Sequence, residues 1–396
     1  MKILVLHQLP YRKAGYDRAL DHRRHQVTYA GHPDRLADLP ADLPARRLEI
    51  PPGEDFTAGV IARTAPGDGY RQVVSLSEFG VLAVSRVRAH LGLPGPSPQE
   101  AERAHDKVRM KQVLAGSAIR VPRFVPAPEQ GTLLPWSGRT VLKPRRGTCS
   151  EGVTVHATTR GAVAAFRALE RPEDFELEEY VEGDILHTDA LVRDGALEHA
   201  VTSRYVNKPA DYATGSPLGS HQLPFDPRHH AFARDVVRAL GITSGSIHLE
   251  FFETPRRELV FLEIANRMGG AGVVDAHLRH TGIHLPSHEI ALTLGLPRPT
   301  PDTPTGRYHG WLVFPGHHLP RGRGHTVTLP AHLLRHPCAD RVHTLPAGTA
   351  PPAHITYQEW LVPLALEASH PDPCVLGAYL RACADAAAVR RAQDVA

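Results

Sequence analysis

Apolar residues in the first ninety positions come in short β-branched runs at 3–6, 26–29 and 73–76, and then recur at helical spacing over 81–90. This pattern predicts a small α/β lobe whose first strand lies in Met1-Lys2-Ile3-Leu4-Val5-Leu6. The stretch Gly92-Leu93-Pro94-Gly95-Pro96-Ser97-Pro98 is turn chemistry throughout and reads as a linker. Beyond it, Ser97 or Gln99 is expected to open one helix running through Glu102 to about Ala115, with Lys107 and Lys111 one turn apart on one face.

From residue 140 the elements follow an α+β order. Thr140-Val141-Leu142 is a strand-like run that ends in Lys143, and helical periodicity returns over 160–169. Residues 175–183 alternate apolar with acidic side chains as a half-buried strand does, then turn at Gly183. Strands expected at 188–192 and 197–202 flank Asp194-Gly195, a hairpin signal. The polar, glycine-containing segment 204–220 suits a closing loop. A helix over 230–240 precedes two strands, 247–253 and 258–264, joined around Pro255-Arg256-Arg257. The tail beyond 300 is rich in Pro and Arg, with a strand-like run at 310–314 and an alanine-rich helix near 378–389.

A chain of 396 residues with 42% hydrophobic and 22% charged residues has ample core for two or three lobes. The formal net charge of +3, without a basic run or basic-aromatic stripe, sets nucleic acid aside as a partner. Cys149, Cys338, Cys374 and Cys383 have neither metal-ligand nor disulfide-framework spacing, which suits a reducing cytoplasm. The apolar run at the start is too short for a signal peptide or a membrane span, so a cytoplasmic protein without membrane contact is expected. The strand at 3–6 is followed by His7-Gln8-Leu9-Pro10-Tyr11-Arg12, which lacks the glycine turn that cradles a dinucleotide pyrophosphate. A nicotinamide enzyme is thereby demoted.

Lysine is scarce. Of 45 Lys plus Arg residues only six are lysine, Lys2, Lys13, Lys107, Lys111, Lys143 and Lys208. Lys143 ends its strand just before a loop of small and polar residues, Arg146-Gly147-Thr148-Cys149-Ser150-Glu151-Gly152-Val153. A compact point charge beside loop amides suits a phosphate there better than a planar guanidinium would. Glu250 and Glu263 each sit inside an otherwise apolar strand, where a carboxylate needs a cation. Paired as a hairpin, the two strands bring both carboxylates to one end of one face, the hard oxygen donors that Mg²⁺ takes; salt-bridged strand residues are the alternative.

With these motifs in this order the chain resembles the ATP-grasp proteins. The run Ser75-Leu76-Ser77-Glu78-Phe79-Gly80, through Gly92 to Asp106-Lys107 and Val121-Pro122, resembles the end of the pre-ATP-grasp lobe and the entry to the nucleotide-binding domain. The resemblance implies that Lys107 and Lys143 contact nucleotide phosphates and that the loop from Arg146 to Val153, with Ser150 and Gly152, is the lid over them. It implies that Glu178-Glu179-Tyr180-Val181 is the hinge strand whose backbone and acidic side chain bind adenine, and that Glu250 and Glu263 are the metal-binding carboxylates. Many relatives carry a metal-binding asparagine two residues after the second glutamate, where this chain has Ala265 and then Asn266. Either Asn266 reaches the metal from a bulge or the two glutamates act alone.

Arg267 and the following Met268-Gly269-Gly270-Ala271-Gly272 match the subgroup resembling L-amino-acid ligases and related carboxylate-amine ligases. There the arginine helps hold an acyl phosphate, which places Arg267 with Lys143 among the catalytic groups. The implied cofactors are ATP and Mg²⁺ or Mn²⁺. The implied division is a pre-ATP-grasp α/β lobe over 1–92, an ATP-grasp domain over 93–300 and a C-terminal lobe over 301–396 that closes the substrate pocket. The expected activity is an ADP-forming ligase that activates a carboxylate as an acyl phosphate and joins it to an amine. Its rivals are a biotin- or purine-type carboxylase acting on bicarbonate and a nucleotide-binding protein without turnover. The expected partners are small-molecule acid and amine substrates, with a second copy of the chain as a further candidate.

Overall fold

Ile3, Leu4, Val5 and Leu6 are all buried, so the strand they form has a covered face on each side, as central strands of parallel sheets do. β1 (Lys2–Leu6) lies between β2 (Gln26–Gly31) and β4 (Gln72–Val74), with β3 (Arg46–Glu49) beyond β2, and all neighbours run parallel. The structure, a computed structural model, describes residues 1–78, 80–128, 133–319, 325–346 and 349–391; Phe79 of the motif quoted above lies outside them. One face of this sheet, through Ile3 and Val5, shares a core with Met268, Val274, Ile290 and Leu294, which joins the N-terminal lobe to the rest of the chain.

A second sheet is antiparallel, in the order β5-β8-β6-β7, from β5 (Phe124–Pro126), β6 (Thr140–Pro144), β7 (Thr154–His156) and β8 (Phe175–Glu179). The helix Thr159–Arg167 covers it, setting Ala162 and Phe166 against Leu142 and Leu177.

The third sheet has eight strands. Its members are β9 (Asp184–Arg193), β10 (Ala196–Tyr205), β11 (Leu218–Gln222), β12 (Ser244–Glu253), β13 (Leu259–Ala265) and β14 (Tyr308–Phe314). After β15 (His325–Thr328) come β16 (Ala339–Thr344) and β17 (Leu364–His370), and the order across the sheet is β13-β12-β9-β10-β11-β14-β17-β16. The sheet thus runs without a break from residues before 300 to residues after it. The helix Pro227–Leu240 packs Ala233, Val236, Val237 and Leu240 onto Ile247, Leu249 and Phe251. Asp194 (φ 51) and Gly195 (φ 77) make the expected tight β9–β10 turn.

Four expectations change. The single helix over 97–115 is two helices, Pro98–Glu102 and Lys107–Leu114, because the buried Asp106 accepts the N–H groups of Val108 and Arg109 and starts a new helix. Lys107 and Lys111 consequently do not share a solvent face: Lys111 is wholly buried. The strand β8 is buried on both faces rather than half-buried, since Glu176 and Glu178 point into a cluster of charges. Residues 204–220 are not one loop, because Tyr205 ends β10, Leu218 begins β11 and the tip between them carries the short helix Pro209–Tyr212. The terminal helix, Pro373–Ala386, stops at extended Ala387, and β18 (Ala388–Arg391) pairs with β15 by setting Val389 opposite Val327. No helix among the described residues is long and apolar enough to cross a membrane.

Candidate active site

Two cavities meet beside Glu250 of β12 and Glu263 of β13. The first, of about 270 Å³, lies between the second sheet and the third and is lined by Val141, Lys143 and Val155 on one side and by Glu250, Phe252, Leu262 and Glu263 on the other. The second, of about 460 Å³, opens toward the N-terminal lobe and is lined by Leu76, Glu78, Arg267 and the glycine turn that follows it. Lys107, Thr148, Ser150, Glu250 and Glu263 border both. A group transferred from one cavity to a molecule in the other would pass these residues.

The carboxylates are held by the strand register. Glu250 of β12 stands directly opposite Glu263 of β13, and a bulge beside the pair, which leaves Leu262 unmatched, lets Leu262 and Glu263 both border the first cavity. The phenol of Tyr205 donates to Glu250 Oε1 at 2.6 Å, and His248 Nε2 lies 3.4 Å from the same oxygen. Burial opposes charge on Glu250, but His248 and Tyr205 outweigh it and hold its carboxyl down at about 2. His248 Nδ1 donates in turn to Asp189 (2.8 Å), whose other oxygen takes His187 Nδ1 at 2.6 Å, while His187 Nε2 meets Ser220 Oγ at 2.9 Å. Burial disfavours the His248 cation, yet Asp189 and Glu250 raise it to about 10. This chain of buried groups crosses four strands and fixes Glu250 from below. His187, Asp189 and His248 also stand close enough together to hold a metal ion, but each ring nitrogen and each Asp189 oxygen named here already has a hydrogen-bond partner within the chain.

Glu263 receives Lys107 at 2.9 Å, and the same ammonium donates to the Gly147 carbonyl of the loop after β6 at 3.1 Å. Hard carboxylate oxygens on adjacent strands, with Tyr205, His248 and Lys107 against them, fit a divalent cation that brings further oxygen ligands of its own. Asn266 is not brought to the two carboxylates. Its amide donates to the carbonyls of Ser244 and Ser246 on the neighbouring strand, and it borders neither cavity, because one step along the strand from Ala265 turns the side chain to the opposite face.

Lys143 lines the first cavity from β6, almost wholly buried, 2.9 Å from Glu178 Oε1 and 4.0 Å from Glu176. Lys111 completes the cluster by bonding Glu176 at 2.6 Å and also Glu178. Burial works against the Lys143 cation, but Glu178, Glu176 and Glu263 raise its pKa. The acidic side chain expected to bind adenine is therefore committed to two ammonium groups, and Glu179 is likewise committed to Arg123. Both residues, with Val181, still border the cavity. Ser150 lines it as expected. Gly152 does not: it is a turn residue (φ 73) on which a Cβ would sit 3.1 Å from Pro144. Cys149 (φ 60) and Ser150 (φ 53) are left-handed without being glycine, a backbone cost that ligand-clamping loops often carry.

Arg267 lines the second cavity, with its guanidinium on Glu78 and on the Met268 carbonyl (2.6 Å). The glycines after it permit close packing, since a Cβ on Gly272 would lie 2.5 Å from the Trp311 ring and one on Gly269 would lie 2.7 Å from Asp189.

Residues that sequence reasoning did not assign to the site are Lys111, Tyr205, His248, Arg139 and Lys208. Arg139 stacks 3.5 Å over the Tyr180 ring, whose hydroxyl takes Lys208, and all three border the first cavity. Lysine scarcity was a usable signal for two of them.

A solved L-amino acid ligase from Bacillus licheniformis superposes with a TM-score of 0.73 over 98% of this chain and 98% of its own, at 18% identity. The chain has the ATP-grasp fold. A carboxyaminoimidazole ribonucleotide synthase from Aspergillus clavatus, complexed with ATP, is similar with a TM-score of 0.67 over 97% of each chain, at 15% identity. In sequence, an L-arginine-specific L-amino acid ligase of Bacillus subtilis is 27% identical over 232 residues, 54% of this chain and 54% of that protein. The chain spans about half the length of the curated relatives it matches. No protein-family model matches it. The ATP-grasp fold expected from the motifs is thus the fold observed.

Proposed function

We propose that this chain is an ATP-dependent ligase that activates an organic carboxylate, an amino acid or a derivative of one, as an acyl phosphate and joins it to an amine, releasing ADP and phosphate. The observation that carries this reading is the position of Glu250 and Glu263 at the junction of the two cavities. ATP occupies the first cavity with its γ-phosphate at the junction, and the acid approaches from the second. The hinge residues 179–181 face the adenine, and Trp311 with residues 354–358 contributes the wall that closes the second cavity.

A free carboxylate is a poor electrophile, because an amine attacking it must expel oxide. Phosphorylation supplies a leaving group. Lys143 and Lys107 stand where charge spreads over the transferring phosphoryl oxygens, and preorganised cations there lower the barrier without reorganising. Mg²⁺ or Mn²⁺ held by Glu250 and Glu263 would supply the remaining charge neutralisation. Arg267, drawn toward the acid site by Glu78, orients the activated carboxyl while the amine attacks its carbon and phosphate departs. The lid loop and the 206–217 tip keep water away during that interval.

Hydroxylamine trapping tests the reading. An activated organic acid gives a hydroxamate with ADP release that depends on that acid. The likeness to a carboxyaminoimidazole ribonucleotide synthase favours a second reading, activation of bicarbonate, for which ADP release would require bicarbonate and give no hydroxamate.

A further inference from the structure

Part of the wall of the second cavity is assembled from four stretches far apart in the chain: the loop after β6, the tip between β10 and β11, the glycine turn after Arg267, and residues 354–358. Tyr357, in the last of these, meets the other three. Its ring packs against that of Tyr212, at the end of the short helix in the tip, with centroids 4.9 Å apart and planes inclined by 59°. Its hydroxyl faces the Cys149 thiol of the loop after β6. A Cβ on Gly270 would lie 3.9 Å from the same ring, so the glycine turn runs just beneath it.

The backbone around Tyr357 is fixed on both sides. The Gln358 carbonyl accepts the N–H groups of Leu361 (2.8 Å) and Val362 (3.2 Å), just before β17 begins at Leu364. Glu359 pairs with Lys13 of the N-terminal lobe at 4.0 Å. The Tyr212 hydroxyl donates to the Thr356 carbonyl at 2.6 Å, which ties the tip to this segment. The start of the tip reaches the other cavity, where Lys208 donates to the Tyr180 hydroxyl. The tip thus spans both cavities, and Tyr357 is what it meets on the side of the second.

An acyl phosphate formed beside Glu250 and Glu263 opens onto the second cavity, where water competes with the amine for the acyl carbon. A tyrosine ring brings broad, rigid contact area to such a place, and none of its atoms is used in the chemistry derived above. We propose that Tyr357 is a positioning residue for the ligation: by seating the loop after β6 and the tip over the glycine turn, it keeps water from the acyl phosphate. This rests on the ligase reading. Without the seal, a water oxygen bonds to the acyl carbon, the bond from that carbon to the phosphate oxygen breaks, and phosphate departs. One proton of that water goes to the phosphate and the other to solvent. The acid returns with one oxygen exchanged, and one ATP has been consumed without an amide.

The test supplies a mixture of the standard amino acids as acids and hydroxylamine as the nucleophile, in water enriched in heavy oxygen. It counts ADP released per acyl product, hydroxamate and peptide together, for the parent chain, Tyr357→Phe, Tyr357→Leu and Tyr357→Ala, with circular dichroism on each preparation. The parent and Tyr357→Phe, which keeps the ring, should release close to one ADP for each product. Tyr357→Leu and, more strongly, Tyr357→Ala should raise that ratio, the latter by on the order of tenfold. The extra ADP should require the acid and be matched by heavy oxygen in the recovered acid. Leucine keeps apolar bulk and carries the comparison where alanine disturbs the fold. A purely structural role would lower stability and rate while leaving the ratio alone. The parent ratio in both Tyr357→Leu and Tyr357→Ala, or extra ADP that needs no acid, overturns the assignment of Tyr357 while leaving the ligase intact. Absence of acid-dependent ADP release from every preparation, the parent included, removes the ligase reading itself.

Discussion

Glu250 and Glu263 face one another across the β12–β13 ladder, one bonded to Tyr205 and the other to Lys107. Like charges directly opposite in a sheet repel, so a strand pairing that sets two carboxylates face to face calls for a cation between them. Glu263→Gln and Glu250→Gln should each lower kcat by on the order of a hundredfold or more by removing charge from beside the phosphoryl group. Their thermal unfolding should stay close to that of the parent chain, which steady-state assays and circular dichroism would establish side by side.

Lys111 and Lys143 share Glu178 but should fail differently. Loss of Lys111 takes from buried Glu176 its hydrogen-bonded cation and leaves Glu178 to Lys143 alone, and Lys111→Met is expected to cost about 3–5 kcal/mol of stability. Lys143 borders the cavity itself, so Lys143→Ala should lower kcat by on the order of a hundredfold. Lys143→Arg should rescue poorly, since the planar fork does not fit between Glu178 and the loop. Denaturant titrations beside turnover measurements separate the two. Equal effects of both substitutions on both readouts would show that the cluster is a single structural unit.

Asn266→Ala should leave turnover within about threefold of the parent and reduce stability by about 1 kcal/mol, the usual scale of a lost hydrogen bond. Turnover as low as in Glu263→Gln would return Asn266 to the metal site.

Much of this arrangement was legible beforehand. The buried strand 3–6, the hairpin at Asp194-Gly195 and the carboxylate-bearing pair of strands are written in local apolar runs, which periodicity reads directly. What was hidden depends on tertiary partners. Glu178 reads as an acid on a half-buried strand until Lys111, 67 residues earlier in the chain, is brought beneath it. Tyr205 reaches Glu250 only because β10 and β12 both border β9, and His248, two residues before Glu250 on the same strand, is held in place by Asp189 of β9. Asn266 was ambiguous for a further reason: its distance from Glu263 along the chain does not say which face it takes where a bulge interrupts the ladder.

Glu289 gives the chain a pH dependence away from the catalytic groups. Burial pushes its carboxyl from an ordinary value of 4.5 up to about 7, against the pull of Ser246 and Arg88. The folded chain therefore keeps this proton to higher pH than the unfolded chain does. The associated stability is fully present below about pH 4.5 and is lost as pH rises through about 7, a change of about 3 kcal/mol at roughly 1.4 kcal/mol for each pH unit. Glu289→Gln, which does not titrate, should gain on the parent between about pH 5 and pH 8 when urea midpoints are compared. Parallel curves for the two proteins would place the carboxyl in contact with water.

The acyl phosphate is the centre of the account, and oxygen transfer tests it most directly. When a substrate acid carries heavy oxygen in its carboxylate, phosphorylation and amine attack move one labelled oxygen into inorganic phosphate for each amide formed, and ADP is the nucleotide product. Mass spectrometry of the released phosphate should show that single label. Unlabelled phosphate accompanying amide formation, or label recovered in AMP, would contradict it.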